Sequence, residues 1–214
     1  MARTRTPLCM LLLLLMSGAV LAQGTPRVVS LKPLRQGDWL CCLMRTSDLP
    51  GVKMLSSMES GLVSSMELDF TVFDAQQRRV ASRQIIFELT FDLWDEVFVV
   101  DIAGTSHRIA SRDSLQRMLR EPPLLRVVPL QKLQSASAPF EMRVVLTMNP
   151  IAPRDRARVE NVIAGAGPGS VDRHEETFSF GHLIRFFYRQ EEAEPENTVR
   201  SSSFEIGGLI HAHD

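Results

Sequence analysis

The chain has 214 residues, 44% of them hydrophobic, with 24 lysines and arginines against 25 aspartates and glutamates and a net charge of −1. That length suits one ordinary domain with a sizeable core and a C-terminal appendage. A nearly neutral, slightly acidic chain gains nothing from counterion release on a polyphosphate, which excludes nucleic-acid binding as a leading function.

Residues 1–22 read as a secretory signal peptide: Arg3 and Arg5 form a positive n-region, Leu8 to Met16 is an almost unbroken apolar run, and Val20-Leu21-Ala22 offers the small residues that a signal peptidase reads. Cleavage is expected before Gln23, which leaves 22 basic against 25 acidic residues and a net charge of −3. The competing reading is a retained anchor, but Leu8 to Ala22 falls short of the roughly 20 residues that a bilayer core requires. Cys9 lies too early in the run to serve as a lipoprotein acceptor. The mature chain is expected to be exported, periplasmic or secreted.

Residues 27–31 and 39–44 suggest an opening hairpin across Arg35-Gln36-Gly37-Asp38. A short amphipathic helix should follow, with Asp48 as its cap, Pro50 in its first turn, Leu55, Met58 and Leu62 on one face, and Gly61 placed to loosen or end it. Met66, Leu68, Phe70 and Val72 then alternate with Glu67, Asp69 and Thr71, the pattern of a half-buried antiparallel strand. Ile85, Phe87, Leu89 and Phe91 repeat it, and a turn around Asp92 leads to a third strand, residues 96–100. A second helix is expected from Ser111 through Leu115, Met118 and Leu119 until Pro122-Pro123 forbids continuation. A short strand near residues 124–128 precedes a longer one carrying Phe140, Met142, Val144, Leu146 and Met148.

After Asn149-Pro150 the composition changes. Arg154, Asp155, Arg156, Arg158 and Glu160 suit a solvated helix, and Gly165-Ala166-Gly167-Pro168-Gly169 a linker. An aromatic block, residues 178–188, is expected as a third helix; the acidic run 191–196 follows, and residues 201–206 could return as an edge strand before a frayed tail. The fold class expected is therefore α+β, a mostly antiparallel β-sheet or sandwich with two short amphipathic helices and a C-terminal aromatic helix. The divisions are a signal peptide (1–22), a β-rich core (23–150), a helical and linker extension returning to the core (151–206) and a flexible tail (207–214).

This order of elements resembles the bacterial family known as domain of unknown function 4390. The resemblance rests on the extended pair, the helix ending in Met58-Glu59-Ser60-Gly61-Leu62, the strand pair Met66 to Phe73 and Ile85 to Phe91, and the turn Phe91-Asp92-Leu93-Trp94-Asp95-Glu96. The strand running to Asn149-Pro150 and the terminal Ser202-Ser203-Phe204 are similar too. The chain departs from the family in the Gly165 to Gly169 insertion and the histidine-containing tail. The resemblance implies an exported envelope protein and carries no active site with it.

The motifs that announce common chemistries are missing. Gly165, Gly167 and Gly169 have the wrong spacing for a dinucleotide loop. There is no Gly-x-Ser-x-Gly elbow, no Ser-x-x-Lys and no His-Glu-x-x-His, and His174-Glu175-Glu176 lacks a second histidine four residues on. His211, His213 and Asp214 are the densest ligand set, but a terminal tail gives them no orienting partners. His107 and His182 stand alone. No cofactor, metal or catalytic residue is expected.

Cys41 and Cys42 are adjacent in a chain destined for an oxidising compartment, where thiols tend to pair. On a regular strand they face opposite ways, which favours two small buried residues over a vicinal disulfide or a redox switch. Glu67, Asp69 and Glu88 resemble any solvated sheet face more than an acid–base pair. Trp94 reads as a wedge closing the sheet, and only secondarily as a sugar or ligand platform. In the aromatic block, Phe180, Leu183, Ile184 and Phe187 would cover one helix face with His182, Arg185 and Arg189 at its margins, suited to covering the sheet, to a partner groove or to a membrane surface.

Two functions from different classes follow. One is a non-enzymatic envelope protein acting as an interaction or accessory module for a protein partner, with Leu183, Ile184 and Phe187 as part of the surface. The other is a carrier of a lipid-like apolar ligand lined by Phe70, Phe87, Leu89, Phe98, Met142 and Leu146. An unrecognised hydrolase is a third and weaker reading.

Overall fold

The computed structural model describes residues 24–134, 136, 138–152 and 197–212. Alternating side chains dominate it and build two antiparallel sheets. Strands β1 (Arg27–Gln36) and β2 (Trp39–Ser47) form the opening hairpin, and β7 (Leu125–Pro129) pairs with β2 to give the order β1-β2-β7. Strands β3 (Ser64–Phe73), β4 (Arg79–Asp92), β5 (Val97–Ile102), β6 (Thr105–Ile109), β8 (Glu141–Asn149) and β9 (Thr198–Arg200) form a second sheet in the order β6-β5-β4-β3-β8-β9. The mostly antiparallel α+β class read from the sequence is the fold observed, with two short helices, α1 (Gly51–Glu59) and α2 (Arg112–Arg120).

Register explains why the larger sheet has one apolar face. Met66, Leu68, Phe70 and Val72 of β3 pair with Met148, Leu146, Val144 and Met142 of β8, so four rows of apolar side chains point the same way. On the other side Met66 pairs with Phe87 and Leu68 with Ile85, extending the rows into β4. This face meets Leu40, Cys42 and Met44 of β2 and Leu125, Val127 and Val128 around β7 in one continuous core. The sheets are also joined by Arg83, which donates from Nη1 to the Arg126 carbonyl at 3.0 Å and lies over the Trp39 ring at 5.8 Å.

The helices close the ends of this core. Ser111 caps α2 by accepting the Ser114 N–H at 3.2 Å, Leu115 and Leu119 are buried, and the buried Thr46 hydroxyl of β2 donates to the Leu119 carbonyl at 2.7 Å. Helix α1 buries Met54, Ser57 and Met58, with Leu55 partly buried beside them. Its docking is partly polar: Ser57 and Ser64 both donate their hydroxyls to the Pro150 carbonyl, at 2.5 and 2.7 Å.

Several local expectations are corrected. Asp48 is not the cap residue of α1; it has a left-handed φ of 60°, and Pro50 occupies the cap position without a side-chain cap hydrogen bond. Gly61, at φ 80°, receives the chain after the last turn and returns its N–H to the Met58 carbonyl at 2.8 Å, leaving Leu62 beyond the helix. Glu96 is not the first residue of the third strand, because its φ of 51° belongs to the turn and β5 starts at Val97. Strand β6 has no counterpart in the sequence reading. The returning edge strand is Thr198–Arg200, while Phe204 makes a separate two-way bridge to Phe140 at 2.8 and 2.9 Å.

The tail is held as far as residue 212. Leu209 is buried in the core, the Arg35 N–H donates to the Ile210 carbonyl at 3.0 Å, and the Ala212 N–H donates to the Arg35 carbonyl at 2.8 Å. One apolar anchor and two backbone hydrogen bonds oppose the fraying expected there from Gly207-Gly208. The solvated helix, the glycine linker and the aromatic helix of residues 178–188 lie outside the described residues. Among the described residues, no helix is long and apolar enough to cross a membrane, which says nothing of strands.

Candidate interaction site

The tip of the β4–β5 hairpin is shaped by Asp92. Its carboxylate Oδ1 accepts the backbone N–H groups of Trp94 at 3.0 Å and Asp95 at 3.2 Å, an Asx turn that substitutes side-chain oxygen for a backbone carbonyl. These two N–H groups, with Arg108 adding a smaller attraction, hold the Asp92 carboxyl below its ordinary range. Glu96 completes the reversal in its left-handed conformation. Below the tip, the Phe91 and Phe98 rings pack with centroids 4.8 Å apart and stiffen the base of the hairpin.

Two apolar side chains project from this frame. Trp94 is 96% exposed and Leu93 57% exposed. The expectation that Trp94 wedges the sheet shut is therefore overturned: the Asx turn aims residues 93–96 away from the core, which Phe91 and Phe98 already fill. Leu93 has one neighbour of note, since a β-carbon on Gly61 would stand 3.4 Å from Leu93 Cδ1. Charge surrounds the pair. Asp92, Asp95 and Glu96 lie in the turn, Arg108 of β6 forms an ion pair with Asp95, and near the end of α1 Glu59 pairs with Arg112 of α2.

The six residues read as an apolar-ligand lining are brought together, but as packed core. Phe70, Phe87, Leu89, Phe98, Met142 and Leu146 keep between 0 and 3% of their surface, so protein atoms surround each of them. An acyl chain placed among them would need these side chains to part. Leu183, Ile184 and Phe187 lie outside the described residues, as do His174, Glu175, Glu176, His182, His213 and Asp214.

Cys41 and Cys42 are free and buried. Cys42 belongs to the shared core, whereas Cys41 lies outside that cluster on the other face of β2, opposite Leu34 and Arg126. Burial, and secondarily the neighbouring Cys41, push the Cys42 thiol far above its usual range. Burial also raises Cys41, against a weaker downward pull from Arg126 and from the backbone of Gln36. Thiols in that condition are poor nucleophiles.

The remaining candidates separate in the same way. Glu67 is held by Asn149 Nδ2 at 2.6 Å, Gln84 Nε2 at 3.1 Å and the Ser65 hydroxyl at 3.4 Å, partners that fix a carboxylate in a sheet surface. Asp69 is two residues along the same strand, opposite Gln84 and Val145, and Glu88 is opposite Ser65 and Asp101. His107 of β6 pairs with Val100 of β5, and His211 makes the bridge to Arg35. Among the described residues no three His, Cys, Asp or Glu side chains are grouped to hold a metal ion.

Comparison with protein-family models, with curated proteins and with solved structures gives no match.

Proposed function

We propose that the chain is a non-enzymatic, exported envelope protein of the domain of unknown function 4390 type, released from its signal peptide before Gln23, that acts as an interaction or accessory module. Its contact is the Leu93-Trp94 tip. The observation that carries this reading is a tryptophan 96% exposed on a turn that hydrogen bonds hold in place. Tryptophan offers a large contact area with few rotatable bonds, which is why it dominates the energetics of many interfaces. The acidic surroundings, Asp92, Asp95 and Glu96 against Arg108, favour a partner whose apolar slot is rimmed by lysine or arginine over an anionic membrane surface.

The test is a photo-crosslinking residue at position 94 in cells expressing the full chain, with position 82 on β4 as the control. A single discrete protein adduct from position 94, lost when Leu93 is replaced by Ser and absent from position 82, is the expected result. Equal labelling from both positions, or none from either, overturns the assignment of the tip.

A further inference from the structure

Charge is divided unevenly between the two sheets. Strands β1, β2 and β7 contain Arg27, Lys32, Arg35, Arg45 and Arg126 and no aspartate or glutamate. Register gathers four of these cations on one side. Arg27 is opposite Ser47, Arg45 opposite Ser30, Lys32 opposite Leu43 and Arg126 opposite Cys41. Residues 41, 43, 45 and 47 are alternate positions of β2, so these pairs share the face turned away from Leu40, Cys42 and Met44 of the core. Arg27, Lys32, Arg45 and Arg126 are all exposed. Apolar surface lies among them: Leu43 is 44% exposed, and Val29, at the register shift between Val28 and Ser30, is 55% exposed. Glu121, just after α2, accepts from Arg45 Nε at 2.9 Å and offsets one of the four charges.

The Leu93-Trp94 tip has the opposite character. Its two apolar side chains project beside Asp92, Asp95 and Glu96, with Arg108 offsetting Asp95. Trp94 is 96% exposed, so the tip does not rest on the cationic face of its own chain. An apolar strip between cations is the surface that an acidic apolar tip fits, and this chain carries one. We infer that the partner of the tip is a second copy of this chain, which receives it on the outer face of β1, β2 and β7 around Leu43; the inference rests on the tip reading above.

Such a contact joins two different surfaces and is therefore heterologous. Each joined pair leaves one tip and one face open, so further copies add until a ring closes or a filament grows. Lysine and arginine around Leu43 attract the acids of the tip through water, and salt weakens that part of the contact. An isologous dimer would instead stop at two copies.

The experiment expresses the full chain with its own leader, isolates the exported protein and measures its mass in solution at low and high micromolar concentration, in low and high salt. Trp94→Ala removes the tip's anchor. Leu43→Glu removes the apolar centre of the face, and Lys32→Glu, a second surface change, replaces the cation opposite it; thermal melts show that each variant folds. The expected result is a parent whose mass rises with concentration and falls with salt. Trp94→Ala weakens this self-association by about thirtyfold or more. Each variant alone stays single, whereas an equimolar mixture of Trp94→Ala and a face variant forms a dimer and no more, because one supplies an intact face and the other an intact tip. Self-association that Trp94→Ala leaves unchanged, or variants that pair no better mixed than alone, overturns the inference. A parent that stays single while the photo-crosslinker at position 94 captures a different protein overturns the second copy and leaves the tip reading standing. A single parent with no adduct from position 94 overturns both.

Discussion

Asp74 and Arg78 close the β3–β4 connection as a unit. The Asp74 side chain has no exposed surface, yet it accepts from Arg78 Nε at 2.9 Å and from the Arg78 backbone N–H at 2.9 Å, and it forms an ion pair with Arg78 Nη2 at 2.7 Å. The Gln76 N–H adds a fourth contact at 2.9 Å. Burial alone would raise this carboxyl, but the hydrogen bonds from Arg78 and Gln76 outweigh it and hold the group below its ordinary value.

A stability profile in acid follows from that pair. A carboxyl depressed in the folded state contributes stability that is fully present above the unfolded value of about 3.9 and is lost as the pH falls through the lower folded value. Asp74→Asn should lower the thermal midpoint at pH 7 by several degrees and flatten the loss of stability below about pH 4. Thermal melts of both proteins across that range decide it; a variant with the parent's acid limb would remove Asp74 as its source.

Thiol titration addresses the cysteines. With Cys42 in the core and Cys41 buried on the opposite face, neither should react with an aromatic disulfide reagent in the native mature protein, and both should react after unfolding without reductant. A count of zero after unfolding would mean that the two sulfurs had already paired, which requires a break in β2.

The contrast between core and ligand lining can be measured directly. Phe87→Ala should cost about 3–5 kcal/mol in denaturant unfolding, the range for removing a buried aromatic ring from a filled core. The parent should neither bind an apolar fluorescent probe nor gain thermal stability from a fatty acid. A carrier would show the opposite pattern: tight binding of the fatty acid and a small cost for the substitution.

Much of the sheet was legible in the sequence, and the reasons are local. Met66, Leu68, Phe70 and Val72 alternate strictly because, among the described residues, only one face of β3 joins the core, and the same holds for Ile85, Phe87 and Leu89. Strand β6 was not legible, since Thr105, Ser106, His107 and Arg108 show no apolar alternation. It is an edge strand, turned by Ala103 and Gly104 at φ 51° and 86°, with Ile109 as its one buried residue. Trp94 was misread for a different reason. An aromatic residue beside acidic ones has the same letters whether it packs inward or projects, and the decision lies with the Asp92 carboxylate and the backbone of Glu96. Phe70 and Phe87 pose the matching ambiguity, because a cavity lining and a solid core use the same residues, and only packing separates them.

One buried hydroxyl helps to attach α2. Thr46→Val leaves the Leu119 carbonyl without its partner and should destabilise the protein by about 1–3 kcal/mol. Ser111→Ala removes the cap of the same helix and should cost about 1 kcal/mol. Denaturant midpoints of the two variants and the double variant test whether the two ends of α2 act independently.

The most direct test of the proposed role is the native mass of the mature protein purified gently from its own envelope, measured for the parent and for Trp94→Ala. A protein-sized added mass on the parent that is lost in the variant is expected, because truncating a central tryptophan typically weakens an interface by about 2 kcal/mol or more, roughly thirtyfold in affinity. A bare mass for both proteins, or an added mass of only a few hundred daltons unaffected by the substitution, would contradict it.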